Sequence, residues 1–349
     1  MQISQFFAAR TSLIFLFVIV CTASMQAQSD STIYLRMERE SVFLQQLVST
    51  PAAKSFLNAT TALKPIVEPR RLWYRAADRS ALNVYDYEDL DSAARVGYEF
   101  KELDAQFYFE TRYGSPLAYV RLIDLAAIAG FEGLENAAVA DFGFGSIGHL
   151  KLMARCGAQV SGIEVDPLLR ELYSFAEDRG TFARGKHVKP GDRGEIDLYF
   201  GSYPADQSIV DGLGSDNVLF TSKNTLKRGY LKPERDVNPA QLVDLGVTDS
   251  VFLQRVNEAL ADDGIFLIYN LHPAQSPADQ PYKPWADGRS PFDREQFEHA
   301  GFRVVAFNVD DSLFARALGA ALGWDKQGMD LQNDLFATYT LVRKLPTGK

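Results

Sequence analysis

Residues 137–148, AAVADFGFGSIG, bring an acid and three glycines to the end of an apolar run. Gly143, Gly145 and Gly148 fit G-x-G-x-x-G, the spacing with which a strand turns into a helix tightly enough for a nucleotide to approach the backbone. Glu164 follows Gly143 by 21 residues and closes the next apolar run, VSGIE, where a carboxylate can accept hydrogen bonds from ribose hydroxyls. Asp141 stands two positions before the first glycine. It opposes a pyrophosphate, because two unit charges about 4 Å apart interact by roughly 4 kcal/mol at an effective dielectric of about 20. A ligand with a positive group suits Asp141 better, and a carboxylate on that ligand could use the N–H groups at the helix start, beside Ser146.

A second group of polar residues lies in FTSKNTLKRGYLKPER. Lys223, Lys227, Arg228, Lys232 and Arg235 put five cations within thirteen positions of an acidic chain, enough to capture a carboxylate or phosphate. Lys223 and Arg228 are the expected substrate contacts, Asn224 and Tyr230 the expected catalytic groups, and Lys232 and Arg235 read as a solvated face. Further on, IYNLHPAQSPADQPYKPW offers Asn270 to a substrate and His272 as a general base toward a hydroxyl, with Tyr282 and Trp285 on a loop that could close over the site. Other chemistries find no footing. A nucleophile elbow needs glycine where Phe144 stands before Ser146, the four histidines show no metal-ligand spacing, and Cys156 sits mid-helix as a core residue.

These residues need a frame that delivers them to one place. From Asn136 onward, strands alternate with helices: AAVADF, AQVSGIEV, EIDLYF, DNVLFTS, IFLIYNL, FRVVAFNV and LFATYTLVRK are strands, and the helices between them include SIGHLKLMARCG, PLLRELYSFAEDRG and DSVFLQRVNEALADDG. Such alternation builds a mainly parallel sheet covered on both faces. Ligands of such sheets bind beyond the carboxyl ends of the strands. Before it, residues 28–134 read as mostly helical; SPLAYVRLIDLAAIAG is capped by Ser115, carries Pro116 in the first turn and ends at Gly130.

At this point the chain resembles the class I S-adenosylmethionine-dependent methyltransferases, over about Tyr113 to Arg343. VADFGFGSIG is similar to the family's first motif, VSGIEVDP to its second strand, EALADDGIFLIYN to its fifth, FDREQFEHAGFRVVAF to its sixth, and FATYTLVRK to its antiparallel last strand. The resemblance implies an α/β, Rossmann-like, seven-stranded and mostly parallel sheet of order 3-2-1-4-5-7-6, its last strand antiparallel, behind an N-terminal helical cap. It also implies S-adenosylmethionine as cofactor, held by Asp141, Gly143, Gly145, Ser146, Glu164 and Tyr113, and methyl transfer to a small acceptor. Two departures stand out. Ile147 occupies the place of the family's third glycine, and no acid ends the third strand to read adenine, leaving Ser202 and Tyr203 for that contact.

The chain has 349 residues, 46% of them apolar, which supports a large core; its net charge of −9 opposes nucleic acid as a partner and leaves a small molecule. Residues 1–27 read as a signal peptide: Arg10, an apolar run from Leu13 to Val20 too short to span a bilayer, and cleavage after Ala27 or Ala23. That leader implies an exported protein, periplasmic or secreted, with no membrane span after cleavage; a start at Met25 or Met37 would make it cytoplasmic. The expected domains are the leader 1–27, a helical region 28–134 and a methyltransferase-like domain 135–349. Because the cofactor is made in the cytoplasm, an exported non-catalytic module that retains the fold stays open, as does an NAD-dependent oxidoreductase on the strength of G-x-G-x-x-G.

Overall fold

The computed structural model describes residues 33–66, 68–183 and 193–346; the leader lies outside them. Helix α1 (residues 33–44) is followed by α2 (Pro51–Asn58), which starts where the Thr50 hydroxyl accepts the Ala53 N–H and Pro51 needs no N–H of its own. Three short strands come next: β1 (Arg70–Arg75), β2 (Ser80–Leu82) and β3 (Glu99–Leu103), with α3 (Val84–Glu88) between the last two. They form an antiparallel sheet in the order β2-β1-β3. Residues 28–134 thus hold a small sheet beside their helices, which the helical reading did not include. β1 pairs with β3 across a gap in sequence, Trp73 opposite Phe100, and local periodicity carries no trace of such a pairing.

Helices α4 (Ala105–Glu110) and α5 (Val120–Ile128) lead into the main sheet. The Ser115 hydroxyl caps a short 3-10 turn, Pro116–Tyr119, that runs into α5. Beyond it alternate β4 (Ala138–Phe142), α6 (Gly148–Arg155), β5 (Gln159–Glu164), α7 (Pro167–Leu172), β6 (Gly180–Ala183), β7 (Arg193–Phe200), α8 (Gln207–Leu213), β8 (Asn217–Lys223), α9 (Arg228–Leu231), α10 (Asp249–Ala259), β9 (Leu260–His272), α11 (Arg294–His299), β10 (Phe302–Asp310), α12 (Ser312–Ala321) and β11 (Phe336–Lys344). The strands lie in the order β10-β11-β9-β8-β4-β5-β7-β6. β4, β5, β7, β8 and β9 run parallel, while β11 is antiparallel to both its neighbours and β6 to β7.

The sheet has eight strands rather than seven. PLLRELYSFAEDRG does not stay helical: α7 stops at Leu172, Gly180 turns the chain with a φ of +85°, and β6 adds itself to the edge. The helix expected over DSVFLQRVNEALADDG likewise ends at Ala259, and the strand starts at Leu260.

Alternation along the central strands fills both faces. Val139, Leu219, Ile265, Leu267 and Tyr269 point to one core with α2, α5 and α6; Ala140, Phe220, Phe266 and Ile268 point to the other with α8, α10 and α11. Burying each large side chain contributes about 1.5–3 kcal/mol. The N-terminal elements are fastened by buried polar groups. Asp124 Oδ1 accepts from the N–H groups of Ser49 and Thr50 and from both their hydroxyls, and Arg70, 2% exposed, reaches Asp178 at 3.0 Å. Among the described residues, no helix is long and apolar enough to cross a membrane.

Candidate functional site

The parallel strands deliver Phe142, Glu164, Phe200, Lys223 and His272 to the same edge of the sheet. A cleft of 460 Å³ opens there, of the size that holds small ligands. Gly143, Gly145, Ser146, Glu164, Ser202, Tyr203, Lys223, Asn224, Tyr230, Trp285 and Tyr113 all line it, so most of the expected contacts converge.

The glycine turn is built as its spacing predicts. Gly143 and Gly145 hold φ of +71° and +63°, the left-handed region where a side chain is strained. The space above them is filled by the chain itself: a Cβ on Gly145 would come within 2.7 Å of the Tyr113 ring, and one on Gly143 within 2.2 Å of the Thr225 hydroxyl. The turn amides are engaged too. Gly145 N–H donates to Glu164 Oε2 at 3.1 Å, Ile147 N–H to the Tyr173 hydroxyl at 3.2 Å, and Ser146 N–H to Phe144 O. These amides are therefore not an anion cradle, which removes both the pyrophosphate seat and the expected carboxylate seat at Ser146.

Glu164 is the organising carboxylate. Besides Gly145, it accepts the N–H groups of Val165 (2.8 Å) and Asp166 (3.3 Å) through Oε1. Burial pushes its pKa up and the three amides pull it back. A carboxylate offers about four lone-pair sites, so one remains for a ligand hydroxyl in the cleft. A ribose hydroxyl fits that remaining acceptor, with buried Phe142 and Phe144 and exposed Val165 as apolar wall; the residues present therefore fit an adenosine. Tyr203 contributes only its packed ring. Its hydroxyl has no hydrogen-bond partner among the described residues and feels Glu258 and Arg255 of α10.

Four expected contacts are corrected. Asp141 does not line the cleft: it is wholly buried and accepts from the Tyr119 hydroxyl (3.0 Å), His149 Nε2 (2.7 Å) and the Thr221 hydroxyl (2.6 Å). It sits on the inward face of β4, so it ties three elements together instead of meeting a cation. Asn270, also wholly buried, donates to Leu226 O and Gly288 O, strapping two loops. His272 turns toward β11, with Nε2 at 3.2 Å from the Thr338 hydroxyl and its ring stacked on Phe336; it does not line the cleft. Arg228 points to Glu234, 3.8 Å away.

Asn224 is in the cleft but already employed. With φ of +65°, a conformation that suits asparagine, it offers Oδ1 to the Leu271 N–H at 2.7 Å and staples β8 to β9. Of the basic loop, Lys232 pairs with Asp249 and Arg235 holds backbone carbonyls of residues 276–280, so the expected solvated face is a set of loop fasteners. Lys227 donates to Leu271 O (2.6 Å) and Trp285 O (3.0 Å), which places Trp285 over the cleft. Tyr282 is buried beneath that loop on Asp287.

The structure adds residues with no local sequence signal. Arg79, from the β1–β2 turn, and Arg112 converge on Asp166 Oδ2 at 3.0 and 3.4 Å at the cleft mouth. Residues 240–244 form a further wall. Asp166 also caps α7, accepting the Leu168 N–H.

No protein-family model matches the chain, and no curated protein matches it. The chain is partly similar to several solved structures. Phosphoethanolamine N-methyltransferase 2 of Haemonchus contortus is 13% identical, with a TM-score of 0.38 over 76% of this chain and 61% of its own. The arsenic(III) S-adenosylmethionine methyltransferase of Chlamydomonas reinhardtii is 15% identical, with a TM-score of 0.35 over 62% and 66%. Human N-acetylserotonin methyltransferase, solved with S-adenosylmethionine, is 12% identical, with a TM-score of 0.32 over 66% and 54%. The chain itself has an α/β fold with a mostly parallel sheet.

Proposed function

We propose that this protein is a methyltransferase that binds S-adenosylmethionine between the ends of β4 and β5 and methylates a small acceptor beside β8. The observation that carries the reading is Glu164, a carboxylate locked by three backbone amides across the glycine turn with its remaining acceptor edge in a cleft. The strand ranks also support it: leaving out β6, the order from one edge is third, second, first, fourth, fifth, seventh and sixth. S-adenosylmethionine supplies a methyl group already on a good leaving group, so the protein's task is to align the acceptor and keep water out. Tyr113 covers the turn, while Tyr230 and Trp285, with the Asn224 backbone, wall the acceptor side.

The acceptor, in this reading, carries an anionic group, since Arg79 and Arg112 share one carboxylate at the cleft mouth. The second reading, NAD, loses its support because the turn amides are spent. Residues 1–27 are proposed to export the chain; N-terminal sequencing of the natively expressed protein, finding a start at Met25 or Met37 instead, would overturn that.

Calorimetry with S-adenosylhomocysteine and NAD tests the cofactor. The wild type is expected to bind the first and not the second. Glu164→Ala removes one ligand hydrogen bond to a charged group, worth about 1.5–3 kcal/mol, so affinity falls by roughly 10- to 150-fold. Folded wild-type protein that binds neither S-adenosylmethionine nor S-adenosylhomocysteine refutes the assignment.

A further inference from the structure

The proposed cofactor has an amino-acid end with a carboxylate, and the residues expected to receive it are occupied. The amides of Gly145, Ser146 and Ile147 donate within the protein. Lys223, the last residue of β8, is 7% exposed and lines the cleft beside Gly143 and Thr225. Its Nζ lies 5.3 Å from the centroid of the Tyr119 ring and makes no hydrogen bond to any described residue. An amine on a largely buried side chain, with no acceptor, is short of hydration, and an anion brought by a ligand offsets that cost.

We infer that Lys223 forms an ion pair with the α-carboxylate of the cofactor's methionine moiety, doing what the turn amides cannot. This rests on the reading of the cleft as an S-adenosylmethionine site. The charged and titratable groups around Lys223 are known. Asp141 on β4 favours its charge but accepts no hydrogen bond from it, taking instead those of Tyr119, His149 and Thr221. Lys227, beyond β8, and His149, on α6, interact with it unfavourably when charged. Burial brings the Lys223 pKa down to about 8. At pH 8.5 the free amine is thus largely neutral, and a carboxylate placed beside it draws a proton on.

Two probes separate the amino-acid end from the rest: S-adenosylhomocysteine, and 5′-methylthioadenosine, which keeps the adenosine and thioether but has no carboxylate. Calorimetry on wild type and Lys223→Met is expected to show S-adenosylhomocysteine weakened at least tenfold and 5′-methylthioadenosine changed less than twofold. At pH 8.5, in buffers of different ionisation enthalpy, wild type should take up more protons with S-adenosylhomocysteine than Lys223→Met does, the ligand's own α-amine being common to both. Lys223→Gln serves in its place if Lys223→Met fails to fold. Unchanged S-adenosylhomocysteine affinity in the variant, or equal loss of both probes, overturns the ion pair. Wild type that binds 5′-methylthioadenosine but not S-adenosylhomocysteine overturns it while leaving an adenosine site; wild type that binds neither removes the cofactor reading and the ion pair together.

Discussion

Asp141→Asn separates a structural carboxylate from a ligand-binding one. In the wild type, Oδ2 accepts from the Tyr119 hydroxyl and His149 Nε2, and Oδ1 from the Thr221 hydroxyl, all in full burial. Asparagine keeps the shape and loses the charge. It presents one acceptor oxygen and an NH2 group, so at least one donor must turn or go unpaired. Hydrogen bonds to a charged group contribute about 1.5–3 kcal/mol and neutral ones about 0.5–1.5 kcal/mol, so three such exchanges cost about 3 kcal/mol. His149 gives little relief, because its Nδ1 has no partner to accept a proton moved there.

With a urea slope of about 3 kcal/mol/M, the midpoint of unfolding should fall by about 1 M, measured without ligand. S-adenosylhomocysteine affinity, measured where the variant is folded, should change less than threefold. The wild type carries an acid limb from the same site. Burial lowers the His149 pKa, so the unfolded chain takes up a proton that the folded one resists, and stability declines as pH falls below about 6.5. A variant as stable as wild type that has lost the ligand would show that Asp141 faces the cofactor and that the buried network is misassigned.

Two other substitutions test the frame. Glu40 is 9% exposed beside Arg36, Ser115 and Glu110, and burial pushes its pKa up to about 7. A raised carboxyl destabilises the fold as pH climbs from about 4.5 through 7, so Glu40→Gln should gain stability over wild type at pH 8, by up to about 3 kcal/mol, and little at pH 4.5. Thermal melts at the two pH values that show the same difference would rule this out. Gly145→Ala places a Cβ against the Tyr113 ring on left-handed backbone and should cost about 1–3 kcal/mol and weaken S-adenosylhomocysteine; adding Tyr113→Ala should restore part of both, and a double variant no better than the single one refutes the clash.

The main sheet was legible because its strands are buried on both faces. IFLIYNL and FATYTLVRK leave little choice of state, and the turn after AAVADF needs its glycines wherever the chain goes next. The small sheet was not, since β1 finds β3 only through contacts distant in sequence, and β6 exists because β7 offers it an edge.

The site divides along the same line. Sequence alone determined the scaffold end of the cleft: glycines at left-handed positions and an acid closing the second strand, features fixed by local backbone conformation and spacing. Only the tertiary structure decided which charges remain for a ligand. Asp141, Asn270 and His272 have the right chemistry on strands that end at the right edge, yet each is consumed by a partner far along the chain, Thr221, Leu226 and Thr338 respectively. Lys223 is left over for the converse reason: packing buried its stem and gave its amine no acceptor. A hydrogen bond has two ends, and the sequence near one end does not say where the other lies.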